Sequence, residues 1–239
     1  PTGQPAIDRN TGDLTYTPAA NANGTVTFNV AVRDTGGGND TSPVMPASFT
    51  INAVNDAPEI TLPMTAPTGP EDQTLTIVGI SVSDVDAGSD SLTVNLSIKG
   101  GEISLIQSNG LSFNDGDGSD GSLEFLGSQA NLTAVLQTGI NFDPKMNYHG
   151  SLLLHIAVND QGKNGDGGAK SALESLVVVI TPSNDQPMIM DADFSLAENS
   201  LFGTPVGTAM ASDPEQQPYH GALAEAITTD AAETRHVAV

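Results

Sequence analysis

The amino-acid sequence predicts an all-β protein built from tandem antiparallel β-sandwiches. First, apolar and polar residues alternate in short runs bounded by Gly, Pro, Asn and Asp, which is typical of half-buried antiparallel strands. Second, one stretch of sequence recurs further along the chain. Third, the apolar residues are mostly Val, Ile and Leu, with seven Phe, three Tyr and no Trp or Cys. Such side chains suit the narrow core between two packed sheets.

The internal repeat divides the 239 residues into three parts. Residues 14–34 recur as residues 140–160, and each copy is followed by an Asn-Asp-x-Pro motif, at 55–58 and at 184–187. Repeats at a fixed spacing indicate a tandem array of similar domains. We therefore predict the C-terminal part of one repeat (1–56), a complete repeat (57–185), and the N-terminal part of a third with an atypical tail (186–239).

Within the complete repeat, the pattern predicts about seven or eight strands, the number that forms one sandwich. The strand signals include Leu92 to Ile98, Ile103 with Leu105, Leu123 with Phe125, and Leu152 to Val158. One short helix is predicted over residues 130–136, after an N-cap at Ser128, because apolar residues there follow i, i+3, i+4 spacing. Strand periodicity fails beyond about residue 217, and residues 222–239 are predicted to be helical or unstructured.

The composition favours divalent cations as partners and argues against nucleic acid. The chain carries 29 acidic and 7 basic residues, a net charge of −22, whereas phosphate binding needs clustered Lys and Arg. Without Cys, no disulfide can stabilise the fold, so metal binding or tandem packing must contribute instead. The sequence has no initiator Met, signal peptide or long apolar run, which predicts a segment of a longer exported protein.

Several motifs together resemble a known family over most of positions 14–215. They are Tyr16-Thr17-Pro18, Asn55-Asp56-Ala57-Pro58, Glu71-Asp72, Ser83-Asp84-Val85-Asp86 and Val158-Asn159-Asp160. With them the chain resembles tandem-95 repeats, a cadherin-like group of very large bacterial surface adhesins, and its last part resembles a plain cadherin repeat. The resemblance implies Ig- and cadherin-like sandwiches with Greek-key topology. It also implies an extracellular, cell-surface, rod-like and adhesive parent protein.

The resemblance further implies Ca²⁺ sites at the junctions between repeats. Cadherin-type junctions take ligands from an early Glu, an Asn-Asp linker, an Asp-x-Asp turn and a late Asp, and Ca²⁺ prefers six to eight oxygen ligands. The predicted ligands of the first junction are Asn55, Asp56, Asp84, Asp86, Asp90 and Asp160. Those of the second are Glu71, Asp143, Asn184, Asp185, Asp213 and Glu215. The second set is depleted, because Lys145 stands where the family pattern places an acid.

Calcium is expected to act as a rigidity switch at these junctions. Neighbouring carboxylates repel each other without metal, so an empty junction should be flexible and a filled one stiff. The alternative for each motif is that Asp and Asn side chains cap turns. Residues 114–120 resemble an EF-hand loop, but the Gly is misplaced and flanking helices are absent, so a Gly-rich hairpin loop is predicted, with a weakly held surface ion as the alternative.

The sequence carries no motif that predicts catalysis, so we expect no enzyme activity. Its four His are scattered, and no H-E-x-x-H, G-x-S-x-G or P-loop pattern occurs. His155 is predicted to face solvent between two apolar strand neighbours. Two structural roles remain: a calcium-stiffened spacer that contacts its neighbouring repeats, or a repeat that itself makes homophilic or glycan contacts with a host or neighbouring cell. Glycan sites display exposed aromatic platforms, and three Tyr are too few for one, so we favour the spacer.

Overall fold

The computed structural model describes residues 5–189, 193–207, 211–214, 226–227 and 236–237. The fold is almost entirely β, as predicted, and divides into two compact units, Pro1–Thr181 and Pro182–Val239. No helix of the described part is long and apolar enough to cross a membrane. The three-repeat division remains a prediction.

The first unit begins with two small antiparallel sheets. Strand β1 (Ala6–Ile7) pairs with β2 (Leu14–Thr15), and β3 (Gly24–Val30) pairs with β4 (Met45–Ile51) along their whole length. In both β3 and β4, half-buried and exposed side chains alternate. Tyr16 and Phe28 pack on Phe49, with ring centroids 5.1 and 5.9 Å apart. This aromatic cluster covers the half-buried side of the β3–β4 hairpin.

The remainder of the first unit is a β-sandwich. Its strands are β5 (Glu59–Thr61), β6 (Thr68–Pro70), β7 (Leu75–Ile77), β8 (Ser81–Ser83), β9 (Ser91–Ile98), β10 (Gly101–Leu105), β11 (Ser112–Asp115), β12 (Ser122–Ser128), β13 (Ile140–Pro144), β14 (Gly150–Asn159) and β15 (Ser171–Thr181). A six-stranded sheet has the order β11-β12-β9-β14-β15-β6, in which only β6 and β15 are parallel. Opposite it lie a three-stranded sheet, β10-β13-β7, and the pair β5-β8. Connections that cross between sheets fit the predicted Greek-key sandwich.

The core of the sandwich follows from the period-2 pattern of its strands. In β9, buried Leu92, Val94, Leu96 and Ile98 alternate with half-buried polar residues, as predicted. Phe142 is also completely buried. Each fully buried side chain of this size contributes about 1.5–3 kcal/mol by leaving water.

The predicted helix is present as α1 (Gln129–Thr138). Ser128 is its N-cap, because its Oγ accepts a hydrogen bond from the backbone N–H of Asn131 at 3.4 Å. The three apolar residues that predicted the helix, Leu132, Val135 and Leu136, are all buried. Thr133 binds both backbone groups of Val82 through its hydroxyl, so the helix is fixed against β8.

The described residues of the second unit include two short strand pairs. Strand β16 (Met188–Ile189) pairs with β17 (Ala211–Ser212), and β18 (Ala226–Ile227) pairs with β19 (His236–Val237). The last two strands lie in the tail that was predicted to be helical or unstructured, and at these four residues the backbone is extended. The other tail residues and Glu215 lie outside the described part of the chain.

Candidate metal site at the linker

The linker, residues 53–58, joins the β3–β4 hairpin to the sandwich and lies against the loop between β14 and β15. We call residues 161–169 of that loop the clamp loop. The backbone N–H of Asn55 donates to the carbonyl of Asp166 at 2.9 Å, and the N–H of Asp166 donates to Ala53 at 2.9 Å. Gly165 makes this approach possible, since a Cβ there would lie 2.6 Å from the Asn55 nitrogen. The linker is thus paired with the loop like a short parallel strand.

Two of the predicted ligands, Asn55 and Asp160, are buried together beside the clamp loop. The amide of Asn55 donates to Asp160 Oδ2 at 2.5 Å and to the carbonyl of Gly168 at 2.9 Å. Asp160 Oδ1 accepts the backbone N–H groups of Gly162 and Lys170, each at 2.8 Å. The ammonium group of Lys170 donates to the Asn55 carbonyl. Both carboxylate oxygens of Asp160 are therefore engaged by protein donors.

The ionisation of Asp160 reflects this environment. Burial by itself raises the pKa of the carboxyl group. The hydrogen bonds from the Lys170 backbone, the Asn55 amide and the Gly162 backbone, together with the charge of Lys170, outweigh burial and lower the pKa below its ordinary value. The structure therefore stabilises the ionised form of Asp160 without a metal ion.

At the Asp-x-Asp turn after β8, in contrast to Asp160, one carboxylate oxygen of a buried Asp has no partner among the described residues. Asp84 is 7% exposed, and its Oδ1 accepts the backbone N–H groups of Asp86 at 2.8 Å and Ala87 at 3.0 Å. Its Oδ2 is buried and has no hydrogen-bond partner among the described residues. An unpaired buried carboxylate oxygen is costly, so native structures seldom retain one without a partner. Asp86 Oδ2 accepts the backbone N–H of Asp56 at 2.6 Å, which brings this turn to the linker.

Asp90, the last residue of the first predicted set, is held by the clamp loop. The amide of Asn164 donates to Asp90 Oδ2 at 2.8 Å and to the Ala87 carbonyl at 3.4 Å. Nowhere in the described ranges do three or more His, Cys, Asp or Glu side chains form a group that could hold a metal. The first set thus lies around the linker in two groups: Asn55, Asp90 and Asp160 contact the clamp loop, whereas Asp84 and Asp86 share the Asp-x-Asp turn, where Asp86 accepts the backbone N–H of Asp56.

The second predicted set is distributed over both units. Glu71 is 2% exposed, donates its backbone N–H to Thr181 at 2.9 Å, and has Oε2 3.4 Å from His149 Nδ1. Asp143 is exposed on β13 and accepts the hydroxyl hydrogen bond of Thr74. In the second unit, Asn184 and Asp185 follow Thr181, and Asp213 follows β17. The ligand role of this set remains a prediction.

The loop that resembles an EF-hand is a hairpin loop between β11 and β12, with one 3-10 turn at Gly118–Asp120. Asp117 caps this turn by accepting the N–H of Ser119 at 3.1 Å. Asp120 accepts both the hydroxyl and the N–H of Ser122 at 2.8 Å, and these hydrogen bonds, the hydroxyl first, lower the pKa of Asp120. Here the acidic side chains satisfy local backbone donors, as the turn-capping alternative predicts.

Sequence reasoning missed the residues that hold the linker from the opposite side. Lys170, Asn164 and Gly165 lie in or next to the Gly-rich loop, which was interpreted only as a turn. The one available signal was that Lys170 is one of only seven basic residues and follows shortly after Asp160. His155, in contrast, is exposed as predicted, with Nδ1 2.8 Å from the Ser175 hydroxyl.

A comparison with protein-family models gives a match to the N-terminal segment of the chain. Residues 1–45 match the family described as a bacterial Ig domain. This match, with the sandwich described above, confirms the resemblance to Ig-like repeats of bacterial proteins. No curated protein matches the chain.

Among solved structures, the chain is similar to three cadherin fragments. Human CDH23 EC21-23 is 16% identical with a TM-score of 0.44, and mouse Cadherin-23 EC22-24 is 19% identical with a TM-score of 0.46. Each similarity covers 88% of this chain and 61% of the other chain. The protocadherin gammaB7 EC3-6 cis-dimer structure is 18% identical with a TM-score of 0.41, covering 88% and 46% of the two chains. The chain thus spans less than two thirds of each cadherin fragment.

Proposed function

We propose that this chain is a spacer segment of a large bacterial cell-surface adhesin, in which Ca²⁺ stiffens the linker between repeats. The observation that carries the proposal is the buried Asp84 carboxylate, whose Oδ2 has no partner at a turn that meets the linker. The bacterial Ig domain match supports a structural role, because such repeats are typically not enzymes. It also supports an extracellular location.

The chemistry of the turn fits a hard divalent cation. Asp84 and Asp86 carry carboxylates on the turn, and Asp56 carries one on the linker; carboxylate oxygens are ligands that Ca²⁺ prefers. Bound Ca²⁺ would give Asp84 Oδ2 the positively charged partner that it lacks. It would also offset the repulsion between neighbouring carboxylates. Because Asp86 already accepts the Asp56 N–H, the turn and the linker would be ordered together.

Calorimetric titration with Ca²⁺ tests the proposal directly. We expect binding with a Kd of roughly 10⁻⁴–10⁻³ M, the range of extracellular modules. Asp84→Asn keeps an acceptor for the turn but removes the charge, so this variant should lose the binding heat. Asp117→Asn is the matched control, since Asp117 also caps a turn but lies in the hairpin loop. Equal binding by wild type and Asp84→Asn would contradict the proposal.

Small-angle scattering on the same samples separates a spacer from an adhesive repeat. A spacer should remain monomeric when Ca²⁺ is added. A repeat that makes homophilic contacts should instead associate with increasing protein concentration. Association of the wild type would therefore favour the adhesive role over the spacer role.

A further inference from the structure

We infer that the linker is clamped to the sandwich without metal, with the ammonium group of Lys170 serving as a built-in cation at the junction. The inference rests on the proposed role of the linker as a stiff junction, but it does not depend on calcium. It alters the expectation that an empty junction is flexible.

Backbone hydrogen bonds attach the linker to the clamp loop. The N–H of Asn55 donates to the carbonyl of Asp166, and the N–H of Asp166 donates to the carbonyl of Ala53, both at 2.9 Å. Gly165, at φ +98°, stands where a side chain would collide with the linker backbone. The close approach of the loop to the linker therefore depends on Gly at this position, because only Gly combines this positive φ with the absence of a side chain at low cost. None of these contacts involves a carboxylate or needs a metal ion.

Lys170 places a positive charge at the linker. Lys170 reaches the Asn55 carbonyl with its ammonium group, and its backbone N–H donates to Asp160 Oδ1 at 2.8 Å. Basic residues are scarce in this chain, which has 29 acidic and 7 basic residues, and Lys170 is one of the few and is half-buried at the linker. Lys163, in the same loop, is exposed and makes no such contact. Lys170 thus supplies, within the chain, the positive charge that a metal would otherwise bring.

The clamp loop also reaches the Asp-x-Asp turn. The Asn164 amide donates to Asp90 and to the carbonyl of Ala87. The backbone N–H of Ala87 in turn donates to Asp84. One loop therefore holds the linker on one side and the turn on the other. The contacts of the linker with the clamp loop would therefore form without metal. A cation at Asp84 would stabilise only the Asp-x-Asp turn further.

Hydrogen–deuterium exchange of the full chain in chelator tests the inference. Peptides that cover residues 53–57 and 163–168 should be protected in the wild type without calcium. Lys170→Met should speed their exchange about ten- to hundredfold, because a hydrogen bond from a charged donor is lost. Lys163→Met, which removes the same charge from the same loop, should leave it unchanged. Peptides from β9 and β14 report whether the variants remain folded.

A second pair of variants tests the backbone part of the clamp. Both Gly165 and Gly167 have positive φ values, but only at Gly165 would a Cβ meet the linker. Gly165→Ala should therefore expose the linker amides to exchange in chelator, whereas Gly167→Ala should leave them protected.

The inference is overturned if wild-type linker amides exchange freely in chelator and become protected only when calcium is added. Equal linker exchange in Lys170→Met and Lys163→Met would also overturn it. Failure of the proposed calcium role has a different signature, because protection in chelator would then persist while the titration showed no binding. The two hypotheses can therefore fail independently.

Discussion

Replacing Asp160 by Asn should destabilise the first unit strongly at neutral pH, even in chelator. The carboxylate accepts donors on both oxygens: Asn55 on Oδ2, and Gly162 and Lys170 on Oδ1. An amide has only one oxygen, so at least one buried donor loses its acceptor and faces an NH₂ group. The loss of a charged acceptor and the orphaned donor together cost about 2–4 kcal/mol. For a domain of this size, Tm should fall by about 5–15 °C.

Differential scanning calorimetry in chelator measures this effect, with Asp166→Asn as control. Asp166 lies in the same loop and carries the same charge, but its side chain is exposed and only its backbone contacts the linker. That variant should change stability by less than about 0.5 kcal/mol. Equal melting temperatures for Asp160→Asn and Asp166→Asn would refute the reasoning.

The pH dependence gives a second measure of the same interaction. The folded-state pKa of Asp160 is lowered, so its stabilising contribution is complete above the unfolded value of about 3.9. That contribution is lost as pH falls through the lower, folded-state pKa. The stability difference between wild type and Asp160→Asn should therefore narrow as pH falls below about 4. A difference that stays constant over this range would show that ionised Asp160 is not the stabilising form.

Two further changes test the core and the helix by thermal unfolding. Phe142→Ala should cost about 3–5 kcal/mol, because Phe142 is fully buried between the sheets, while Phe202→Ala, at a fully exposed side chain, should change little. Similar losses for both would contradict the described core. Ser128→Ala should cost about 0.5–1 kcal/mol by removing the N-cap of α1. An unchanged Tm would show that the long Ser128 hydrogen bond contributes nothing.

The fold could be predicted largely because its signals are local. Alternation from Leu92 to Ile98 predicts a strand with one buried face, and the structure buries those apolar residues. The spacing of Leu132, Val135 and Leu136 predicts the helix for the same reason, since periodicity records which face leaves water.

The site could be predicted only in part, because its contacts join distant segments. The resemblance grouped Asn55 with Asp160, and the structure places them in contact across 105 residues. It gave no indication of Lys170, because a Lys in a Gly-rich loop has no pattern that distinguishes it from a solvated side chain. The unpartnered oxygen of Asp84 is equally invisible in sequence, since it depends on what surrounds the turn in three dimensions.

The parallel pairing of β6 with β15 has a mechanical consequence. Tension arriving from the linker reaches β6 from its N-terminal side, whereas tension from the following residues pulls β15 at Thr181, its C-terminal end. Parallel strands pulled from opposite ends slide along each other instead of peeling apart. The paired positions Val179–Thr68, Ile180–Gly69 and Thr181–Pro70 must then yield together. Force applied at the linker meets the backbone pair of the linker with the clamp loop and the β5–β8 pair first, and the β6–β15 pair then resists in this shear geometry.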